Sequence, residues 1–168
     1  TFFIDDKIDT GDILIQEKIK IDKKINAGEL HDKLKLIGAS AVEKTLKGIV
    51  ENSLQRVKQI QKNDFNTAYK FDKKNIKIDW NQNCLEIYNK IRGLSPYPGA
   101  KTSLISKSGE TVNTIFYESE YLVEKHNHNN GKIIHEKGKI KITCKNGYLI
   151  IKNLKIEGKR RMDTESLL

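Results

Sequence analysis

Two cysteines, two prolines, one tryptophan and one methionine are all that this 168-residue chain holds of those types. Cys84 and Cys144 are too few for a disulfide framework, and neither stands in a Cys-x-x-Cys or comparable metal-ligand spacing. A stapled secreted scaffold and a zinc ribbon therefore drop out, and a reducing compartment, the cytoplasm, is expected. No uninterrupted apolar stretch approaches the roughly 18 to 20 residues of a membrane-spanning helix, so no helical span is expected. The opening, TFFIDDKIDTGD, is acidic and lacks a basic leader, so a secretory signal is not expected. It also lacks an initiator methionine and begins on an apolar run, as expected of a fragment. There is no GxSxG elbow, no phosphate-cradling GxxxxGK, no Ser/His/Asp order and no internal repeat. These residues are not expected to hold a complete active site by themselves.

Charge is what the chain has in quantity: 32% of residues are charged, with 31 Lys and Arg against 22 Asp and Glu, a formal net charge of +9. Ile and Leu are still plentiful enough for folding, and the length allows one ordinary domain or two small ones. The excess is uneven. Residues 1–60 carry 11 basic and 10 acidic side chains, and residues 61–168 carry 20 and 12, so the first part is +1 and the second +8. Attraction for a polyanion belongs to the later segment, with nucleic acid the leading partner class and a merely solvated basic surface the bland alternative.

Thr1 to Ile4 reads as the end of a buried strand, followed by an acidic loop and by an alternating strand, Ile13 to Ile21. Asn26 and Glu29 have capping-box spacing. Leu30, Leu34, Ile37, Ala41, Leu46 and Ile49 then recur at helical spacing, predicting an amphipathic helix over 27–50. Strand, loop, strand and one helix make an incomplete α/β layer over residues 1–52, since one helix cannot cover a two-stranded sheet. Residues 53–72 are polar and read as a linker with room for a short helix. The second unit, 73–168, opens with IKIDW and a helix marked by Leu85, Ile87, Tyr88, Ile91 and Leu94. Pro96 and Pro98 then impose an extended turn. Strands are predicted over 102–106, 112–123, 132–135, 139–144, 148–152 and 154–157. Ser108-Gly109 marks one turn, and Asn146-Gly147 is the strongest hairpin signal, as a type I′ turn. Short strands, tight turns and one helix suggest a small, partly open barrel of the oligonucleotide-binding (OB) type.

Candidate chemistry is limited. Asp5, Asp6, Asp9 and Asp12 crowd one loop between two apolar strands, but the spacing is not that of a calcium loop, and solvent-facing carboxylates are the plain alternative. His126 and His128, with His135 nearby, sit among asparagines and glycine without a complementary carboxylate or cysteine, so no metal site is expected. The lysines are better organised: Lys70, Lys73, Lys74 and Lys77 precede the second unit, and Lys90, the run from Lys137 to Lys145 and Lys159 to Arg161 follow. Such side chains neutralise phosphates without reading bases. Tyr69, Phe71 and Tyr97 could stack on unpaired bases or simply pack. Arg92, at the end of the helix, reads as structural.

Two segments go further. FFIDDKIDTGDILIQ resembles the late catalytic-domain segment of folate-dependent formyltransferases, where a DxxxDTG-like loop joins two strands of a Rossmann-like domain. IDW, IRGLSPYPGA and GKRRM, in that order and spacing, resemble the C-terminal domain of the methionyl-tRNA formyltransferase family. The resemblance spans essentially the whole chain. It implies formyl transfer from 10-formyltetrahydrofolate to the amino group of methionyl initiator tRNA, by a cytoplasmic monomer in translation initiation. It also implies that Asp9 is the catalytic aspartate that orients and charges a histidine, which with an asparagine stabilises the developing oxyanion. Ile4, Asp5, Asp6 and Gly11 would help hold the pterin ring. Lys70, Lys73, Lys74, Lys139, Lys141, Lys159 and Arg160 would hold the tRNA.

The family's NxH and SLLPxxRG segments have no counterpart in these residues. A fragment of a sugar-nucleotide N-formyltransferase and a stand-alone RNA-binding barrel are the competing readings.

Overall fold

The computed structural model describes residues 1–7, 10–59, 68–106 and 108–167. The chain divides into two units, residues 1–23 with 29–69 and residues 24–28 with 70–168.

In the first unit, helix α1 spans Ala27–Val50, as the apolar spacing predicts. Its buried line differs from the predicted one. Ala41, Thr45 and Gly48 are covered, whereas Leu34, Leu46 and Ile49 are exposed. Close approach explains the choice: a side chain at Gly48 would meet Leu54 at 2.5 Å, and Thr45 Oγ1 donates to Ala41 O at 2.7 Å and shares a 2.7 Å bond with Thr1 Oγ1. The predicted strand over 13–21 is not formed. Ile13 makes isolated bridges to Phe2 and Val57, and beyond it the alternating Ile side chains have no ladder to join. Thr1 to Ile4, predicted as buried, is exposed. Alternation describes one face of a strand but supplies no partner for its backbone.

In the second unit, helix α2 spans Cys84–Leu94. Six strands follow: β1 Ala100–Ile105, β2 Thr111–Val123, β3 Ile133–Glu136, β4 Lys139–Cys144, β5 Gly147–Ile156 and β6 Arg161–Asp163. They form an open antiparallel sheet in the order β1-β2-β5-β4-β3, with β6 pairing the second half of β5. Ile87, Ile91 and Leu94 of α2 pack into a core with Ile76, Ile78, Ala100, Phe116, Ile142, Leu149, Ile151 and Leu154. Each of these Ile, Leu and Phe side chains contributes about 1.5–3 kcal/mol by leaving water. Cys84 and Cys144 lie in the same core as free thiols, and burial pushes the Cys144 thiol up to about 12.

Three details depart from the sequence reading. The predicted strands 148–152 and 154–157 are one strand, β5, and the apparent break is a pair of opposed register shifts. Phe116 faces Leu154, Glu118 faces Asn153, and Ser119 faces Ile151, leaving Tyr117 on β2 and Lys152 on β5 without partners. The last strand is Arg161–Asp163 rather than 154–157. The hairpin at Asn146-Gly147 exists, with Cys144 paired to Gly147, but neither residue has a positive φ. Asn146 is used for its side chain, whose Oδ1 accepts from Cys84 N at 2.9 Å at the start of α2. Gly147 is used for space, because a Cβ there would meet Leu122 O at 2.0 Å. Among the described residues, the two-residue turn with positive φ at both positions is Lys137-Gly138, at 50° and 70°.

Gly147→Ala should therefore destabilise this unit by about 1–3 kcal/mol through backbone overpacking. Urea unfolding followed by Trp80 fluorescence measures it, and an unchanged midpoint would contradict the packing described.

Candidate functional site

On the face of the sheet turned away from α2, antiparallel register builds a transverse row. Lys101 on β1 faces Ile115 on β2, Ile115 faces Lys155 on β5, and Lys155 faces Arg161 on β6. Directly paired residues project to the same face, so three cations stand in one line around an apolar centre. Lys77 extends the line by a parallel bridge to Lys101, fixed by Ile78 N donating to Lys101 O at 2.8 Å and Lys101 N donating to Ile76 O at 2.9 Å. With strands spaced about 4.8 Å apart, five positions cover about 19 Å. A groove of about 510 Å³ runs here, its walls including Lys73, Lys77, Lys101 and Lys155.

The end of the row is held in place. Arg161 Nε donates to Asn153 Oδ1 at 2.5 Å, and its guanidinium carbon lies 4.3 Å from the Tyr117 ring centre. This cation–π contact orients the arginine without neutralising it. Among the described residues, Lys77, Lys101 and Lys155 form no ion pair, whereas Lys141 pairs with Glu136 and Lys152 with Glu120.

The lysines selected from sequence fall into separate groups. Lys73 lines the groove. Lys74 sits in the turn that Asp72 closes, where its backbone N–H donates to Asp72 Oδ1 at 2.7 Å, and Lys70 O accepts from Asn75 Nδ2 at 2.7 Å. Lys139 and Lys141 are on β4, and Lys159 and Arg160 lie in the β5–β6 turn. Lys159, Arg160 and Lys139 are exposed. Lys141 is committed: it holds Glu136 and lies 5.7 Å from the Tyr148 ring centre.

Lys101 and Lys155 were not singled out by sequence. Neither has another cation beside it in the chain, Lys101 lying between Ala100 and Thr102 and Lys155 between Leu154 and Ile156, and only strand pairing unites them. Arg92 has the structural place expected of it, donating from Nη1 to Ile25 O at 2.9 Å and from Nε to Asn89 Oδ1 at 2.8 Å.

The acidic loop belongs to the first unit. Asp9 lies outside the described residues. Asp5 Oδ1 accepts from Thr10 Oγ1 at 2.6 Å and from Lys7 N at 3.1 Å, and these bonds, the Thr10 one foremost, hold its carboxyl below the usual carboxylate range. Gly11 is buried where a Cβ would meet Phe3 O at 1.6 Å, and its carbonyl accepts from Gln59 Nε2 at 2.7 Å. Asp5 and Gly11 thus shape the loop, while Ile4, 91% exposed, and Asp6 face outward. His126 is engaged elsewhere, its Nε2 2.8 Å from Cys144 O and 3.1 Å from Gly147 O.

The family described as formyl transferase, C-terminal domain, matches residues 70–168. Over its full length the chain is 45% identical to the methionyl-tRNA formyltransferase of Flavobacterium johnsoniae, of which it covers 53%. It spans about half the length of the curated relatives it matches. Among solved structures, a variant of HypX from Aquifex aeolicus superposes with a TM-score of 0.68 at 15% identity, over 99% of this chain and 30% of that one, a likeness of fold alone. The N-formyltransferase from Helicobacter canadensis, solved with folinic acid and dTDP-3-aminofucose, superposes with a TM-score of 0.59 at 25% identity, over 89% of this chain and 52% of its own.

The Glu136–Lys141 pair makes a pH prediction. Hydrogen bonding to Lys141 lowers the Glu136 pKa, and hydrogen bonding to Glu136 raises that of Lys141. A lowered acid stabilises above its unfolded value and loses that contribution as pH falls through its folded value. A raised lysine stabilises below its unfolded value and loses it as pH rises through its folded value. The pair's contribution should therefore form a plateau across neutral pH and fade at both ends. Lys141→Ala should move the NMR titration of Glu136 up toward the ordinary carboxylate value; an unmoved titration would show that the pair does not persist in solution.

Proposed function

Because the chain belongs to the formyl transferase C-terminal domain family and is a homologue of methionyl-tRNA formyltransferases along its whole length, we propose that it serves transfer of a formyl group from 10-formyltetrahydrofolate to methionyl initiator tRNA. Residues 73–168 would be an OB-like tRNA-holding domain, 53–72 a connection, and 1–52 the late part of a Rossmann-like catalytic domain, within a cytoplasmic monomer. The observation that supports the tRNA reading is the row Lys77, Lys101, Lys155 and Arg161, whose charge the described residues do not neutralise by ion pairing. A line of cations across a rigid sheet can follow a phosphate backbone and fix its position without selecting a sequence. Lys70, Lys73, Lys74, Lys139, Lys159 and Arg160 would widen the contact, and Lys141 would take part at the expense of its bond to Glu136.

Within the first unit, the loop from Ile4 to Gly11 would hold the pterin ring of the formyl donor, with Ile4 and Asp6 at its outer side and Asp5 and Gly11 keeping its shape. The donor supplies an activated one-carbon group for attack by the amine. Asp9 would orient a histidine contributed outside these residues and stabilise its protonated form. With that histidine and its asparagine partner missing, the 168 residues alone should produce no formylmethionine from charged initiator tRNA and 10-formyltetrahydrofolate; turnover would refute the assignment.

Binding tests the groove directly. Affinity for initiator tRNA should fall with salt at a log–log slope at least as steep as about −2.8 to −3.6, as the row's roughly four phosphate contacts at about 0.7 to 0.9 each require. Lys101→Ala and Lys155→Ala should each reduce that slope by about 1. Fluorescence titration at several salt concentrations provides the measurement. Salt-independent or absent binding would instead favour a sugar-nucleotide substrate of the kind bound by the Helicobacter canadensis enzyme.

A further inference from the structure

The groove contains one feature that phosphate binding does not explain. Two residues along from the cation row, on the same face, lies a second row made of Ser103, Asn113 and Glu157. Ser103 pairs with Asn113 across β1 and β2, and Glu157 N donates to Asn113 O at 2.9 Å. The side chains are joined as well: Ser103 Oγ donates to Asn113 Oδ1 at 3.1 Å, and Asn113 Nδ2 donates to Glu157 Oε2 at 2.9 Å. All three residues are exposed, and all three line the groove with Lys101 and Lys155. Along a strand, two residues advance about 6.7 Å, so the hydrogen-bonding row runs beside the cation row at that offset.

A carboxylate in a phosphate-binding groove is costly on charge alone, because it repels the ligand that the lysines attract. It is useful if the ligand also carries hydroxyl donors. Asn113 restrains one oxygen of Glu157, and an ionised carboxylate has acceptor capacity beyond that single bond. A ribonucleotide strand presents a 2′-hydroxyl beside every phosphate, and a deoxyribonucleotide strand presents none. We propose that the Ser103–Asn113–Glu157 row selects RNA over DNA: Glu157 accepts a hydrogen bond from a ribose 2′-hydroxyl while Lys101 and Lys155 hold the neighbouring phosphates. Asn113 and Ser103 are positioning residues that fix the carboxylate. This assignment rests on the nucleic-acid reading of the groove and adds to it the sugar that the groove distinguishes.

The full 168-residue chain, titrated with an RNA hairpin and a DNA hairpin of matching sequence at one salt concentration, tests it against Glu157→Ala and Lys155→Ala. The unmodified chain should bind the RNA about tenfold more tightly than the DNA. Glu157→Ala should bring the two affinities within about twofold of each other, with RNA weakened and DNA equal or tighter. Lys155→Ala should weaken both while keeping most of the ratio. The 157 side chain is exposed, and an unchanged circular dichroism spectrum and urea midpoint will show that its truncation leaves the fold intact. Equal binding of RNA and DNA by the unmodified chain overturns the proposal, as does a Glu157→Ala variant that binds both more tightly by the same factor, since Glu157 would then act only as a charge. Binding of neither hairpin overturns the nucleic-acid reading itself, and this proposal with it.

Discussion

The packing of Ile87, Ile91 and Leu94 of α2 against Ala100, Phe116, Leu149, Ile151 and Leu154 decides which face of the sheet meets water. Side chains alternate along a strand, so burying one set exposes the other. In β5 that alternation would bury Asn153 and Lys155 after Leu149 and Ile151. The opposed register shifts around Tyr117 and Lys152 change the parity, so that Leu154 is buried and Lys155 is exposed. The irregularity is itself tied down. Thr164 N donates to Lys152 O at 3.0 Å, and Thr164 Oγ1 donates to Ile151 O at 2.6 Å. A sheet of fully regular register could not carry both this core and this cation row.

The electrostatics of the second unit follow from the same constraint. A formal charge of +9 over the chain says little about where an anion would rest. Pairing Lys141 with Glu136 and Lys152 with Glu120 takes two cations partly out of play, and Tyr117 anchors Arg161 beside a strand whose lysine already faces it. What remains is a line of charge on a backbone that the core keeps rigid. Rigidity matters here because a preorganised cation loses less freedom when a phosphate arrives.

The two units differ in how completely their apolar patterns are used. In the second, the inward residues of α2 and of the central strands become the core, while Leu85, Ile105, Val123 and Ile133 remain exposed. In the first, α1 buries small residues, and its larger ones, together with Phe2 and Ile4, stay at the surface. The glycines mark the close approaches. Gly11 passes the Phe3 carbonyl, and Gly48 passes Leu54, at distances that admit no side chain. A periodic apolar stripe predicted the helix, and its covered face as far as Leu30, Ile37 and Ala41, but the later half is covered at Thr45 and Gly48 rather than at Leu46 and Ile49, because period fixes which residues share a face and not which face finds a neighbour.

By itself the sequence determined the helices, most of the strand positions, the β4–β5 hairpin, the family resemblance and the concentration of positive charge after residue 60. All of these are local or additive properties. Lysines at 73 and 77 were conspicuous because they crowd together in the chain. Lys101, Lys155, Asn113 and Glu157 were invisible as a group, since Lys101 and Asn113 lie in β1 and β2 while Lys155 and Glu157 lie far along the chain, at and just beyond the end of β5. Only tertiary structure brought them together, through cross-strand register and one change of parity. It also reassigned Asn146 from a turn former to a partner of the α2 N-terminus, and Gly147 from a left-handed residue to a gap for the Leu122 carbonyl. Register depends on which strands pair and where they slip, and a chain read one residue after another does not contain that distance.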